Sequence, residues 1–416
     1  MEVKVLCPEY VKEFNCLGNA CKYNCCREWY IHVTDQEYEY YKTLPNSEFK
    51  ERLLESIVKN DGDAYRLECS KTTGKCNLLT EDNLCGVYIN LSPEEMSYTC
   101  KIYPRQVHYM KDNIEVNLDL SCIEVTRLLF SRKEDLKFIV SDFELIERHN
   151  SFAFHSILKN EVKQKENYQD FYLYNYYEDL NSFCIKVLKY KKLSFDMRLM
   201  ILGLFVKQID SQPTNIELII KEYEKEILNG GFDNLKNGNR FEEVFPKQLN
   251  VSTNIVSIIL KKYNIALNKN FKIKKLLGEY LTQLHKFTDY YSIQTLKNNF
   301  KTALEKYNQY MAENNHIIEN YIIHQVFVQK FPFDLESGCN SYKKLIVHYL
   351  IVKSSLLASF HYYEDDINLE HIMDNIMLLH RLIIRDPKKG TFKEVMDYLE
   401  KNNYLDLVSL FELIIE

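Results

Sequence analysis

The most regular alternation in the chain is the stretch IEVNLDL at 114–120. Ile114, Val116, Leu118 and Leu120 fall on one side, and Glu115, Asn117 and Asp119 on the other. A period of two predicts a strand with one face on a core and the other in water. The Asp112–Asn113 pair before it predicts a hairpin with residues 106–111. A second strand pair is expected at 65–69 and 75–79, turning through Lys71–Gly74. Caps mark the helix starts between these strands. Thr34 and Glu37 form a Thr-x-x-Glu capping box, predicting a helix that stops before Pro45. Ser47 predicts a second helix reaching 60–63, and Ser92-Pro93-Glu94-Glu95 a third. Ser121 with Glu124 predicts a fourth, running through Phe130.

From residue 131 the apolar period turns helical. Helices are expected over 136–164, 168–191, 195–210, 214–228, 252–263, 271–287, 292–331, 341–360, 368–385 and 391–414. The stretch 229–248 carries Gly230, Gly231 and Gly238 and reads as a long loop, a domain seam or mobile lid. The expected fold is therefore mostly α. A small cysteine-rich α+β metal-binding domain over 1–130 is followed by an all-helical, multi-helix domain over 131–416.

Composition sharpens this. Glycine is scarce, 11 in 416 residues, while there are 31 Tyr and 23 Phe. That balance suits aromatic-filled helix contacts and not glycine-rich phosphate loops. The net charge of −6 gives no overall attraction to nucleic acid or anionic lipid. The N-terminus is charged, and apolar runs such as 199–206 fall short of the ~18 residues that span a bilayer. The expectation is a cytoplasmic protein with neither a nucleic-acid nor a membrane partner.

That address changes the meaning of twelve cysteines, because cytosolic thiols stay reduced and a dense pattern points to metal or catalysis. Ten lie in the first 122 residues, and only Cys184 and Cys339 lie beyond. The candidate ligands are Cys16, Cys21, Cys25, Cys26, Cys76, Cys85, Cys100 and Cys122, with Cys69 a bystander. Cys122 falls at a helix start, where amides and the helix dipole favour a thiolate. There is no Cys-x-x-Cys knuckle of the kind zinc sites use. An all-thiolate set selects an iron–sulfur cluster or zinc. The Cys-x3-Cys-x2-Cys of radical enzymes and the Gly-x-Gly-x-x-Gly fingerprint are both absent.

Four stretches resemble the flagellin lysine-N-methylase family: residues 8–33 around CLGNACKYNCC, CNLLTEDNLC at 76–85, TCKIYPR at 99–105 and LDLSCIEVTRLLF at 118–130. Residues 319–334 and 344–358 are similar to it as well, and the cysteines also resemble a broader set of CxxxCC metal-chelating proteins. The resemblance implies an S-adenosylmethionine-dependent lysine N-methyltransferase acting on flagellin or another protein or peptide. It also implies a [4Fe–4S] cluster on these cysteines, with zinc the alternative. Cys21, Cys25, Cys100 and Cys122 are the first choice of ligands, and the set remains open. Asn77 and Ile123 stand where the family pattern has proline. Two other readings remain. One is a different cluster-dependent enzyme modifying peptides or proteins. The other is a non-catalytic binding protein stapled by zinc or a cluster.

Close behind Cys100, Tyr103 is a candidate to line the site or accept a proton, and Arg105 to grip a carboxylate. These two are the catalytic candidates. Asn320, Tyr321 and His348 are polar positions inside apolar helical stretches and are the candidates for holding the cofactor. Trp29, the single tryptophan, is a candidate lid.

Overall fold

The structure, a computed structural model, describes residues 2–27, 31–59, 65–70, 72–110, 113–144, 172–235, 241–267, 273–289, 292–334, 336–381 and 390–415. Among these, seven strands make two sheets: β1 (Glu2–Pro8), β2 (Ile31–Val33), β3 (Ile57–Lys59), β4 (Tyr65–Leu67), β5 (Arg105–Met110), β6 (Asn113–Leu118) and β7 (Phe138–Glu144). The first sheet runs β5-β6-β1-β7 and the second β2-β4-β3. The expected hairpin is present, with β5 and β6 antiparallel from Arg105↔Leu118 to Met110↔Asn113. Its turn at 111–112 lies outside the described residues.

The expected half-buried strand is buried on both faces. Val116 and Leu118 are fully buried, and so are Glu115 (2 % exposed) and Asn117 (0 %). The polar face meets the buried ammonium of Lys330, which pairs with Glu115. Alternation therefore marked the strand correctly but did not mark a wet face.

A larger correction falls at 138–144, within the segment expected to form a helix over 136–164. These residues form β7, antiparallel to β1 from Glu2↔Glu144 to Pro8↔Phe138. β1 offers an open edge, and the β-branched and aromatic residues of Phe138-Ile139-Val140 suit it. The rest of that expected helix lies outside the described residues. Likewise β4 pairs with β2 and β3, not with 75–79, where a single bridge joins Cys69 and Cys76. β3 takes the residues expected to end the second helix.

The early helices are α1 (Asp35–Thr43), α2 (Glu48–Glu55), α3 (Gly86–Asn90), α4 (Tyr98–Ile102) and α5 (Ile123–Phe130). The Thr34–Glu37 capping box is complete. At 93–95 only a 3-10 turn forms. Then follow α6 (Tyr172–Asn175), α7 (Tyr177–Leu188), α8 (Phe195–Ser211), α9 (Ile216–Asn229), α10 (Phe241–Leu267) and α11 (Ile273–Thr288). The last are α12 (Ile293–Asn314), α13 (His316–Val328), α14 (Gly338–Tyr363), α15 (Leu369–Leu379), α16 (Thr391–Lys401) and α17 (Leu407–Ile414). The fold is mostly α with small sheets, as expected. The 229–248 loop is shorter than expected, because Gly230 caps α9 at φ +75° and α10 has begun by Phe241.

Two apolar cores divide the described chain otherwise than at residue 130. The first sheet and α5 share one core with the helices. A separate, smaller core, from Ile31 to Val87, belongs to the lobe that carries the cysteines from Cys26 to Cys100. The segment Gly338–Asp366 is apolar enough and long enough to cross a membrane, contrary to the expectation of no such stretch. However, 89 % of its apolar window is buried inside the protein, the position of a core helix.

Candidate metal centre and adjoining cleft

Local devices in the small lobe aim the thiols inward. Glu37, the acid of the capping box, also accepts the Tyr98 amide at 2.7 Å, fixing the start of α4 and hence Cys100. Arg52 donates to Asn77 O at 2.6 Å and Leu79 O at 3.3 Å, holding the turn after Cys76. The Cys76 amide donates to Cys26 O at 2.9 Å. Gly86 follows Cys85 because the Leu78 carbonyl lies against it: an added Cβ would stand 2.6 Å from that oxygen.

Cys25, Cys26, Cys76, Cys85 and Cys100 line one cavity of about 50 Å³, with Tyr103 and apolar side chains completing the wall. Cys100 lies within electrostatic reach of Cys85, Cys76 and Cys25. Cys122 feels Cys21 and Cys25, and Cys21 feels Cys25 and Cys16. The eight cysteines thus form two neighbourhoods with Cys25 between them. Cys16 is at the exposed rim, its sulfur 3.5 Å from the Gly18 amide.

Burial pushes Cys76 up to about 11 and Cys122 up to about 12, and raises Cys100 further. For Cys26, the hydrogen bond with Cys25 comes first and burial second. The α5 amides of Val125 and Glu124 do lower Cys122, but burial outweighs them, so the helix start does not yield the expected thiolate. In the bare protein these are neutral thiols that a cation would deprotonate.

Among the described residues, no three His, Cys, Asp or Glu side chains are grouped to hold a metal ion as they stand. Four thiolates on one zinc lie about 3.8 Å apart, given Zn–S of ~2.3 Å. A [4Fe–4S] cluster spreads its four thiolates wider. The donor chemistry fits a soft metal group, and the spacing is not that of a preformed single-ion cage.

Tyr103 lines the thiol cavity and its hydroxyl bonds Ser121 Oγ at 3.2 Å. Burial raises it, so at neutral pH it is a protonated phenol and not a base. Arg105 packs its guanidinium 5.1 Å above the Phe14 ring, near Cys16. The three cofactor candidates sit in the helical core instead of on the wall of the thiol cavity. Asn320 donates to Leu129 O and Arg132 O, tying α13 to the end of α5. Tyr321 OH bonds His380 Nε2 at 3.2 Å. His348 is half-buried, with its ring 4.5 Å from that of Phe392. Trp29 lies outside the described residues.

Beside the cysteines opens a cleft of about 590 Å³ between the small lobe and α11, α14 and α15. Lys22, Tyr23, Arg27 and Lys75 form one side, and Glu279, Tyr363, His371 and Asp374 the other. Tyr363 and His371 stack at 3.7 Å and 4°. Below them runs a buried chain of hydrogen bonds. Gln283 donates to Tyr363 OH at 2.9 Å, Ser359 to Gln283 at 2.7 Å, and Asn375 to Ser359 at 2.6 Å. Ser355 donates to Asn375 at 2.9 Å and contacts Tyr280 OH at 2.9 Å. Such a connected network makes a rigid floor. Where α15 widens into a π turn, Arg381 donates to Tyr23 O at 2.9 Å and Ser121 O at 3.2 Å, stitching the helices to two cysteine-bearing segments.

Sequence reasoning missed this cleft. The available signal was polar residues at helical spacing on buried faces: Ser355, Ser359 and Tyr363 on α14, and His371, Asp374 and Asn375 on α15.

Residues 181–413, more than half of the chain, match the FliB lysine N-methylase C-terminal domain. The match contains the helical wall of the cleft and excludes the eight candidate cysteines. A flagellar biosynthetic protein, FliU, from Salmonella muenchen is 27 % identical over 170 residues, covering 40 % of this chain and 96 % of that protein. Lysine-N-methylases of Salmonella typhimurium and Salmonella choleraesuis are each 30 % identical over 128 residues, 30 % of this chain. The match spans about a third (32 %) of the length of these two. No solved structure matches. The class is that of enzymes, protein-lysine N-methyltransferases. More narrowly, the chain belongs to the FliB lysine N-methylase family.

Proposed function

We propose that the chain transfers the methyl group of S-adenosylmethionine to lysine side chains of a protein in the cytosol, and that the cleft beside the cysteines is where the reactants meet. The names of its relatives make flagellin the first substrate to test. The observation that carries this reading is the cleft itself, which joins the matched helical domain to the Cys21–Cys25 segment. Its volume of about 590 Å³ suits a small cofactor with a lysine side chain. Stacked Tyr363 and His371 offer an aromatic surface, and Arg27 and Lys75 offer cations for a carboxylate.

In the reaction the lysine nitrogen lone pair forms the N–C bond as the S–C bond breaks, and S-adenosylhomocysteine and one proton leave. The amine must first be neutral, because lysine at pKa ~10.4 is protonated at pH 7. Donor and acceptor must also be held in line at about 3–3.5 Å. The rigid floor and the Arg381 stitch supply that positioning. A [4Fe–4S] cluster on a subset of Cys16, Cys21, Cys25, Cys26, Cys76, Cys85, Cys100 and Cys122 would supply an iron able to hold the amino-carboxylate end of the cofactor.

A zinc or cluster that only staples the small lobe is the second reading, favoured by how small that lobe's core is. Anaerobically purified protein with about four irons per chain and absorbance near ~400–420 nm supports the cluster. One zinc in a colourless protein sinks it. Incubation with labelled S-adenosylmethionine and flagellin then tests the reaction, and no label on lysine rejects the methyltransferase reading.

A further inference from the structure

The cleft holds an ammonium of the chain's own. Lys22 follows Cys21 and reaches across the cleft to α15. There its Nζ donates to Asp374 Oδ2 at 2.7 Å and to Glu370 Oε1 at 3.2 Å. Tyr23 OH donates to the same Asp374 oxygen at 2.6 Å, and Lys22 Nζ stands 5.1 Å from the centre of the Tyr23 ring. A carboxylate, a phenol that completes its hydrogen bonding and an aromatic ring are the parts of a receptor for an alkylammonium ion.

The contact is built to exchange. The Lys22 side chain is 57 % exposed and reaches a carboxylate that is 17 % exposed. Such a pair contributes little to stability.

We propose that Asp374, with Tyr23 and Glu370, is the subsite that first captures the substrate lysine as its ammonium, before the proton is lost and the amine reacts, and that Lys22 fills it in the resting protein as a displaceable internal stand-in. This rests on the methyltransferase reading above. A lysine on a protein segment entering the cleft takes the place of Lys22, which swings back to water. The subsite thus selects lysine over neutral side chains and keeps the resting cleft occupied.

The test uses the full chain, purified anaerobically, without S-adenosylmethionine. The probe is a fluorescein-labelled heptapeptide with one lysine, compared by fluorescence anisotropy with a twin carrying norleucine at that position. The lysine peptide should bind more tightly by about fivefold, the size of one half-exposed ion pair. Asp374→Asn should abolish the difference. Lys22→Met should tighten the lysine peptide by a similar factor and leave the twin unchanged, while Lys22→Arg behaves as the parent. Equal affinity for the two peptides, or no gain in Lys22→Met, overturns the proposal. Because no methyl transfer is read, its failure is separable from that of the function. Binding as described with no label on any lysine would reject the methyltransferase and leave the subsite. Methyl transfer with an unchanged KM in both Lys22→Met and Asp374→Asn would do the reverse.

Discussion

Gly86 fixes two thiols through one missing methyl group. It follows Cys85 and lies under the Leu78 carbonyl, which belongs to the turn after Cys76. Gly86→Ala would place a Cβ 2.6 Å from backbone that cannot swing aside. The expected cost is about 1–3 kcal/mol, with a lower melting temperature and, if the proposed metal group is bound, less of it retained per chain. Normal melting and metal content would show that the turn yields more easily than its geometry implies. A second residue-scale expectation concerns three histidines, His324 and His380 buried and His348 half-buried. Burial pulls His324 and His380 down to about 3 and His348 to about 4. Unfolded, each binds a proton near its ordinary pKa of ~6.5. Between that value and the folded ones the unfolded chain holds more protons, so their contribution is fully present above ~6.5 and is lost as pH falls. Each adds a slope of up to about 1.4 kcal/mol per pH unit. Urea melts at pH 7, 6 and 5 should show this loss. His348→Phe, which keeps a ring against Phe392, should reduce it. An acid profile unchanged by that substitution would place the proton uptake elsewhere.

At the scale of elements, β6 and β7 show what local pattern carries. Ile114 to Leu120 named β6, and Thr34 with Glu37 named α1, because alternation and capping are written within a few neighbouring residues. What covers the second face of β6 was not legible, since Lys330 lies 215 residues from Glu115. β7 was misread as helix because its partner, β1, is also remote in sequence, with Glu2 opposite Glu144 and Pro8 opposite Phe138. The candidate site divides in the same way. The cysteines stood out in the sequence as a group, and five of them line one cavity together with Tyr103. Asn320 and Tyr321 looked like pocket residues only because their partners, the end of α5 and His380, were invisible. The Glu115–Lys330 pair is buried at both ends. Glu115→Gln leaves a buried ammonium uncompensated and should cost about 3–5 kcal/mol. Replacing both, Glu115→Leu with Lys330→Met, should cost much less. A double variant as unstable as the single one would show that the pair does more than neutralise itself.

At the scale of the molecule, the two cores are unequal. The helical body is built around long buried helices such as α14, whereas the small lobe has ten buried apolar residues among those described, from Ile31 to Val87. A core that small is marginal without a staple. Its thiols surround a cavity that apolar side chains leave unfilled. A metal group bound there would contribute its binding free energy to folding of that lobe alone. Chelation should therefore melt the protein in parts. Calorimetry should show the low-temperature transition of the lobe shift downward or vanish while that of the helical body stays in place. Hydrogen exchange should locate the lost protection in 31–59 and 65–100. Arg381, the stitch from α15 to Tyr23 and Ser121, sets how far the two parts remain coupled. Arg381→Met should widen the separation between the two transitions in the metal-loaded protein, without changing the melting of the helical body. One transition, unmoved by chelation, would mean that the lobe folds without metal, and the cysteines would then have to be explained by chemistry alone.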